Sequence, residues 1–201
     1  MREVQVAGRA ATLSGAGRPH PPDADAPPAS YRRVAWIGAF VALIVAADQV
    51  TKSIAVARWS FEPHEIVGSH VQLLVTRNSG SAFSRFQNLT PVLALGALVI
   101  AIVLARAARR ESDRVTLWAL VLLLGGALGN LGDRIARSPG FFRGHVVDFV
   151  QVGWWPVFNL ADSCVTIGAV LLVLRALFPP RAVSDLSDPP DPSSPSAPAA
   201  A

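Results

Sequence analysis

Two aspartates in the C-terminal third of the chain have the placement of a working pair. Asp148 stands in Val146-Val147-Asp148-Phe149, just before the last long apolar segment, and Asp162 stands in Phe158-Asn159-Leu160-Ala161-Asp162, within that segment's opening turns. Neither has an adjacent base in sequence. If the two face each other, repulsion and desolvation separate their proton affinities and leave one charged and one neutral. An aspartic peptidase needs that arrangement: the carboxylate takes a proton from water while the acid protonates or hydrogen-bonds the scissile carbonyl. A coupled pair titrates as a unit, so sequence leaves open which member holds the proton. The plainer alternative is that these acids are helix caps or members of ion pairs.

Further polar groups recur at helical spacing. Asp48, Thr51 and Lys52 fall at i, i+3 and i+4 on one face, and their bland reading is an interfacial ion pair with Lys52 reaching to the headgroups. Asn130, Asp133 and Arg134 also fall at i, i+3 and i+4, which offers Arg134 as the counter-ion of Asp133. Asn159, Asp162 and Thr166 follow at i, i+3 and i+7, and both of these faces are expected to point into a bundle, since lipid would leave the groups unsatisfied. An ionised Asp near a helix centre costs on the order of 2.5 to 3.5 kcal/mol, so each is a candidate functional residue.

The elements that must carry these groups are membrane helices. Of 201 residues 51% are hydrophobic and only 16% charged, against about a quarter charged in soluble domains. Runs of about 20 apolar residues span the ~30 Å hydrocarbon core, and four are present, over about 34–57, 91–108, 115–135 and 157–178. The polar stretch from Arg58 to Asn88 contains a strand-like run, His70 to Thr76, consistent with a small sheet on the membrane surface. Thr76 to Phe83 and Ala136 to Pro156 read as loops, the second carrying Asp148. Residues 1–30 and 179–201, rich in Pro, Ala, Ser and Asp, read as disordered tails around a single domain over 31–178. The first apolar run begins too late and runs too long for a cleaved signal peptide, so the N-terminus is expected to stay attached.

Four spans put both termini on one side. Arg106, Arg109, Arg110 and Arg114 in the second link, with Arg32, Arg33, Arg175 and Arg181, place that side in the cytoplasm. Asp48, Asp133, Asp148 and Asp162 then collect near the opposite boundary. The net charge of +4 does not suggest nucleic acid: all but Lys52 of the 18 basic residues are Arg, scattered beside apolar runs.

Competing chemistries fail on spacing. His64-Glu65 is followed by His70 six residues after His64, which breaks a helical two-histidine zinc motif. No G-x-S-x-G elbow is present, and the lone Cys164 suits packing better than nucleophilic attack. Asn130 stands where a Gly-x-Gly-Asp motif needs its first Gly. A small proton-coupled transporter or lipid-handling protein is the rival reading, and the lack of an internal repeat counts against it.

In order along the chain, five blocks resemble bacterial lipoprotein signal peptidase, also called signal peptidase II. They are Asp48-Gln49-Val50-Thr51-Lys52, Asn78-Ser79-Gly80-Ser81-Ala82-Phe83, Gly125 to Arg134, Gly144-His145-Val146-Val147-Asp148-Phe149, and Phe158-Asn159-Leu160-Ala161-Asp162. The resemblance implies an all-α membrane protein of four transmembrane helices, with a small β-cradle on the extracytoplasmic side, in the bacterial cytoplasmic membrane. It implies cleavage of diacylglyceryl-modified prolipoproteins before the lipidated cysteine, by a monomer using neither metal nor cofactor. Asp148 and Asp162 match the catalytic aspartates, while Asp48, Lys52, Asn78, Gly80, Asn130, Asp133, Arg134 and Asn159 match positions that support the dyad or contact substrate and the cyclic peptide inhibitor globomycin. Departures are Ser81, Cys164 and an apparent insertion over 137–143.

Overall fold

The computed structural model describes residues 29–80 and 90–179. Most of both expected tails, and Ser81-Ala82-Phe83 of the second block, lie outside the described residues. Four helices, α1 (Ala29–Trp59), α2 (Thr90–Arg110), α3 (Arg114–Ala136) and α4 (Leu160–Leu177), are each long and apolar enough to cross a membrane. The shortest, with 18 residues at 1.5 Å rise, spans about 27 Å. Outward faces carry residues such as Leu43, Val99, Val103, Val170 and Val173, as a lipid-facing surface requires.

Helix α3 is the hub, packing against each of the other three. Its start is fixed by Asp113, whose Oδ2 accepts from Thr116 N at 2.9 Å. At the same end Arg175 of α4 donates to Asp113 Oδ1 at 2.8 Å, tying two helices together. Val41, Ala101, Val121 and Leu124 form the buried apolar core, from α1, α2 and α3. Without a hydrophobic drive between helices in lipid, close approach comes from small residues. Gly126 shows it: an added Cβ would lie 2.8 Å from Val165 Cγ2 and closer still to Ala161 O, so α3 and α4 touch through backbone there.

The end of the bundle where α1 finishes and α4 begins bears a three-stranded antiparallel sheet in the order β1-β2-β3. Its strands are β1 (His64–Val67), β2 (Val71–Asn78) and β3 (Val146–Val152). This corrects the loop reading twice: β2 runs through Thr76 to Asn78, and the segment around Asp148 is a strand. Pairing explains both, because Thr76, Arg77 and Asn78 are held opposite Asp148, Val147 and Val146. Residues Val146 to Phe149 are buried on both faces, so no polar/apolar alternation marks the strand in sequence. Phe149 stacks on Trp59 at the end of α1, with ring centroids 6.5 Å apart.

Candidate active site at the sheet end of the bundle

Asp148 sits mid-strand in β3 opposite Thr76. Asn78, two residues along β2, shares its face of the sheet and donates from Nδ2 to Asp148 Oδ2 at 3.1 Å. The Asn78 amide is itself oriented, since its Oδ1 accepts from Gly80 N at 2.7 Å, where Gly80 turns the chain with φ of 87°. A residue with a Cβ would be strained at that φ.

Asp162 lies in the first turn of α4 and takes part in a capping box with Asn159. Asn159 Oδ1 accepts from Asp162 N at 2.9 Å, and Asp162 Oδ2 accepts from Asn159 N at 3.2 Å. The other Asp162 oxygen, Oδ1, accepts from Asn130 Nδ2 at 2.8 Å. Asn159 Nδ2 donates to Asp148 Oδ1 at 2.6 Å, so the fully buried Asn159 touches both acids. Strand β3 and helix α4 therefore present one carboxylate each to a shared asparagine scaffold, with amides contacting both oxygens of each acid.

Behind this layer lies a buried ionic cluster. Lys52 Nζ donates to Asp48 Oδ2 at 2.8 Å, Asp133 Oδ2 at 2.9 Å and Asn130 Oδ1 at 2.9 Å, which uses all three ammonium donors. Asp48, Lys52 and Asp133 are each fully buried. Asp48 Oδ1 accepts from Ala161 N at 3.0 Å, and Asp133 Oδ2 accepts from Val147 N at 3.1 Å. The cluster thus grips the backbone beside each of Asp162 and Asp148. The interfacial reading of Lys52 is corrected: α1 continues two turns past it, and the ammonium points inward.

The pairing of Asp133 with Arg134 is also corrected. Residues one apart on a helix do not face each other. Arg137, at i+4, donates from Nε to Asp133 Oδ1 at 2.6 Å, while Arg134 donates from Nη1 to the Asn130 carbonyl at 3.0 Å. Arg134 Nε has no partner in the site. Two participants escaped the spacing argument. Gln49 donates from Nε2 to Asp48, Gly129 O and Asp133 at 3.1 to 3.2 Å, and Arg137 lies in the segment read as an insertion. The i+4 relation between Asp133 and Arg137 was the available signal for the second. Thr166 does not face into the bundle: it is exposed, and its hydroxyl donates to Asp162 O at 2.9 Å.

A cavity of about 350 Å³ opens beside Asp162, lined by Trp155, Phe158, Ser163, Thr166 and Ile167. Burial pushes the Asp148 carboxyl up to about 6; the negative charge of Asp162 adds to this, and the amides of Asn78 and Asn159 oppose it. Among the described residues, no three His, Cys, Asp or Glu side chains converge as a metal-ligand set. Two differently held carboxylates, Asp148 buried and Asp162 at the edge of an open cavity, can divide acid and base roles.

Fold and site together define a small helical membrane protein with two acids held close by asparagines where a three-stranded sheet meets the bundle. Residues 40–178 match the family model described as Signal peptidase (SPase) II, and the chain belongs to that family. It is 45% identical over 159 residues to a lipoprotein signal peptidase of Mycolicibacterium smegmatis, covering 79% of this chain and 68% of that one. Identity is 44% over 163 residues to the lipoprotein signal peptidase of Rhodococcus jostii, covering 78% and 80%. A solved structure described as a bacterial membrane enzyme, determined in meso at 1.9 Å, aligns with a TM-score of 0.62 at 29% identity. It covers 71% of this chain and 93% of that one.

Proposed function

We propose that this protein removes the signal peptide from diacylglyceryl-modified prolipoproteins, cutting before the lipidated cysteine, with Asp148 and Asp162 as an aspartic dyad. Family membership makes the chain a protease with membrane-spanning helices. The aspartic mechanism is supported above all by Asn159, which bridges acids from two different elements. A water between the carboxyls would lose its proton to Asp162, while Asp148, the acid held up by burial, would hydrogen-bond and then protonate the scissile amide. Asn78 and Asn130 hold the outer oxygens and so fix the angle between the acids.

Asp48, Lys52 and Asp133 act behind the dyad by holding its backbone, and Gly80 with Arg134 borders the substrate approach. The cavity beside Asp162 suits an apolar part of the substrate at membrane level. The acids face the extracytoplasmic side and both termini the cytoplasm, a reading supported by the arginines gathered at the far end. The enzyme acts as a monomer, and globomycin competes with substrate. A reconstituted assay on lipidated precursor tests the mechanism: Asp148→Asn and Asp162→Asn should each lower turnover about 10²-fold or more, with chelator having no effect. Near-normal turnover in either variant would refute the dyad.

A further inference from the structure

At the opposite end of the bundle, a groove of about 280 Å³ runs between α1 and α3, lined by Trp36, Phe40, Leu117, Trp118, Val121 and, at its mouth, Arg33. Its wall is aromatic: Phe40 packs edge-on against Trp118 with centroids 4.7 Å apart, and Trp36 lies 6.4 Å from Phe40. Trp36 and Trp118 are both exposed toward the lipid-facing surface. From Arg33 to Phe40 the groove extends about 10 Å along α1, from the basic helix start into apolar depth.

Arg33 is incompletely satisfied. Its Nη2 makes one long contact of 3.4 Å to Ala108 O at the end of α2, and its Nε is buried with no hydrogen-bond partner. Among the described residues no carboxylate is within ion-pair distance of it: Asp113 at this end is taken by Arg175, Glu111 Oε1 accepts from Asp113 N, and the other ion pairs lie in the acid cluster. Arg32, Arg109, Arg110 and Arg114 add exposed positive charge nearby in the fold. An unpaired guanidinium fork above an apolar slot is complementary to a phosphodiester above an acyl chain.

We propose that this groove binds one anionic glycerophospholipid, its phosphate on Arg33 and an acyl chain along Trp36, Phe40 and Trp118. The phosphate oxygens accept from the terminal N–H groups of the Arg33 guanidinium, and the chain fills space that helix packing leaves open. This site is independent of the acids and of the cleavage reaction.

Native mass spectrometry of the full chain, released from micelles holding equal amounts of dioleoyl phosphatidylglycerol and dioleoyl phosphatidylcholine, tests it. One phosphatidylglycerol should be retained in preference to phosphatidylcholine by about tenfold. Arg33→Gln should bring the two near equality, whereas Arg109→Gln, at an exposed arginine of the same end, should keep the preference. Arg33→Lys, which preserves charge, should keep part of it, so a poorly folded Gln variant does not decide the matter. Excess glycerol phosphate should not displace the lipid. Equal retention of both lipids by the parent, an unchanged preference in both Arg33 variants, or displacement by glycerol phosphate would overturn the proposal.

Discussion

Lys52 offers the sharpest test of how the site is held. Its ammonium lies 2.8 Å from Asp48 and 2.9 Å from Asp133, with no solvent contact for any of the three. At an effective dielectric of about 20, each contact of that length has a gross Coulomb attraction of about 6 kcal/mol. Desolvation of the ions, several kcal/mol each, offsets most of that, so the cluster adds little net stability when complete. Removing only the cation is different, because two carboxylates then stay buried with Arg137 as their one remaining ion-pair partner. Lys52→Met should therefore destabilise the fold by about 3 to 5 kcal/mol. Adding Asp48→Asn restores charge neutrality and should recover about half of the loss, since Asn Oδ1 can still accept from Ala161 N. The measurement is unfolding of parent, single and double variants against denaturing detergent in mixed micelles. Should Lys52→Met unfold with the parent, or the double variant lose the sum of both singles, the cluster is not electrostatically coupled and the reasoning fails.

Two further outcomes follow from the geometry around the acids. With Asp148 raised to about 6, the proposed dyad requires kcat/KM to fall as pH rises through that region, because Asp148 would lose the proton it is to donate. Asn78→Ala deletes an amide that favours the Asp148 carboxylate, so the alkaline limb should shift upward; a pH–rate profile that stays in place, or moves to lower pH, contradicts this assignment of the proton. Gly126→Ala forces a Cβ to 2.8 Å from Val165 and against Ala161 O, beside the backbone that Asp48 holds. Overpacking of this kind should cost about 1 to 3 kcal/mol and reduce turnover together, measured by the same unfolding and cleavage assays.

The four helices were legible because an apolar run long enough to cross a bilayer is a long-range signal that no local propensity masks. The gathering of Asp48, Asp133 and Asp162 at one end of the bundle was legible for the same reason, since each stands near the matching end of its span, and Asp148 adjoins the last of them. Strand β3 was not: Val146-Val147-Asp148-Phe149 buries both faces, so period-two alternation is missing, and its partner β2 lies about 70 residues earlier. Arg134 is not the ion-pair partner of Asp133 because adjacency in sequence is not adjacency in space: a helix turns by about 100° per residue and delivers Arg137 to Asp133 instead. Nor does Thr166 face into the bundle, its hydroxyl being used by the Asp162 carbonyl one turn back. The asparagine scaffold could be suspected from Asn78, Asn130 and Asn159, but only tertiary structure shows Asn159 meeting both acids.

The ionic cluster also bears on how such a chain enters a bilayer. Asp48 and Lys52 are an i, i+4 pair within α1, and Asp133 and Arg137 are an i, i+4 pair at the close of α3. Each helix thus brings its own counter-ion, and neither has to cross the translocon's lateral opening with a bare carboxylate. The cross-helix contact between Lys52 and Asp133 can form later, when the inserted segments find each other. Insertion and assembly are thereby separable events for the ionic cluster, whose two carboxylates each travel with a cation on the same stretch of chain.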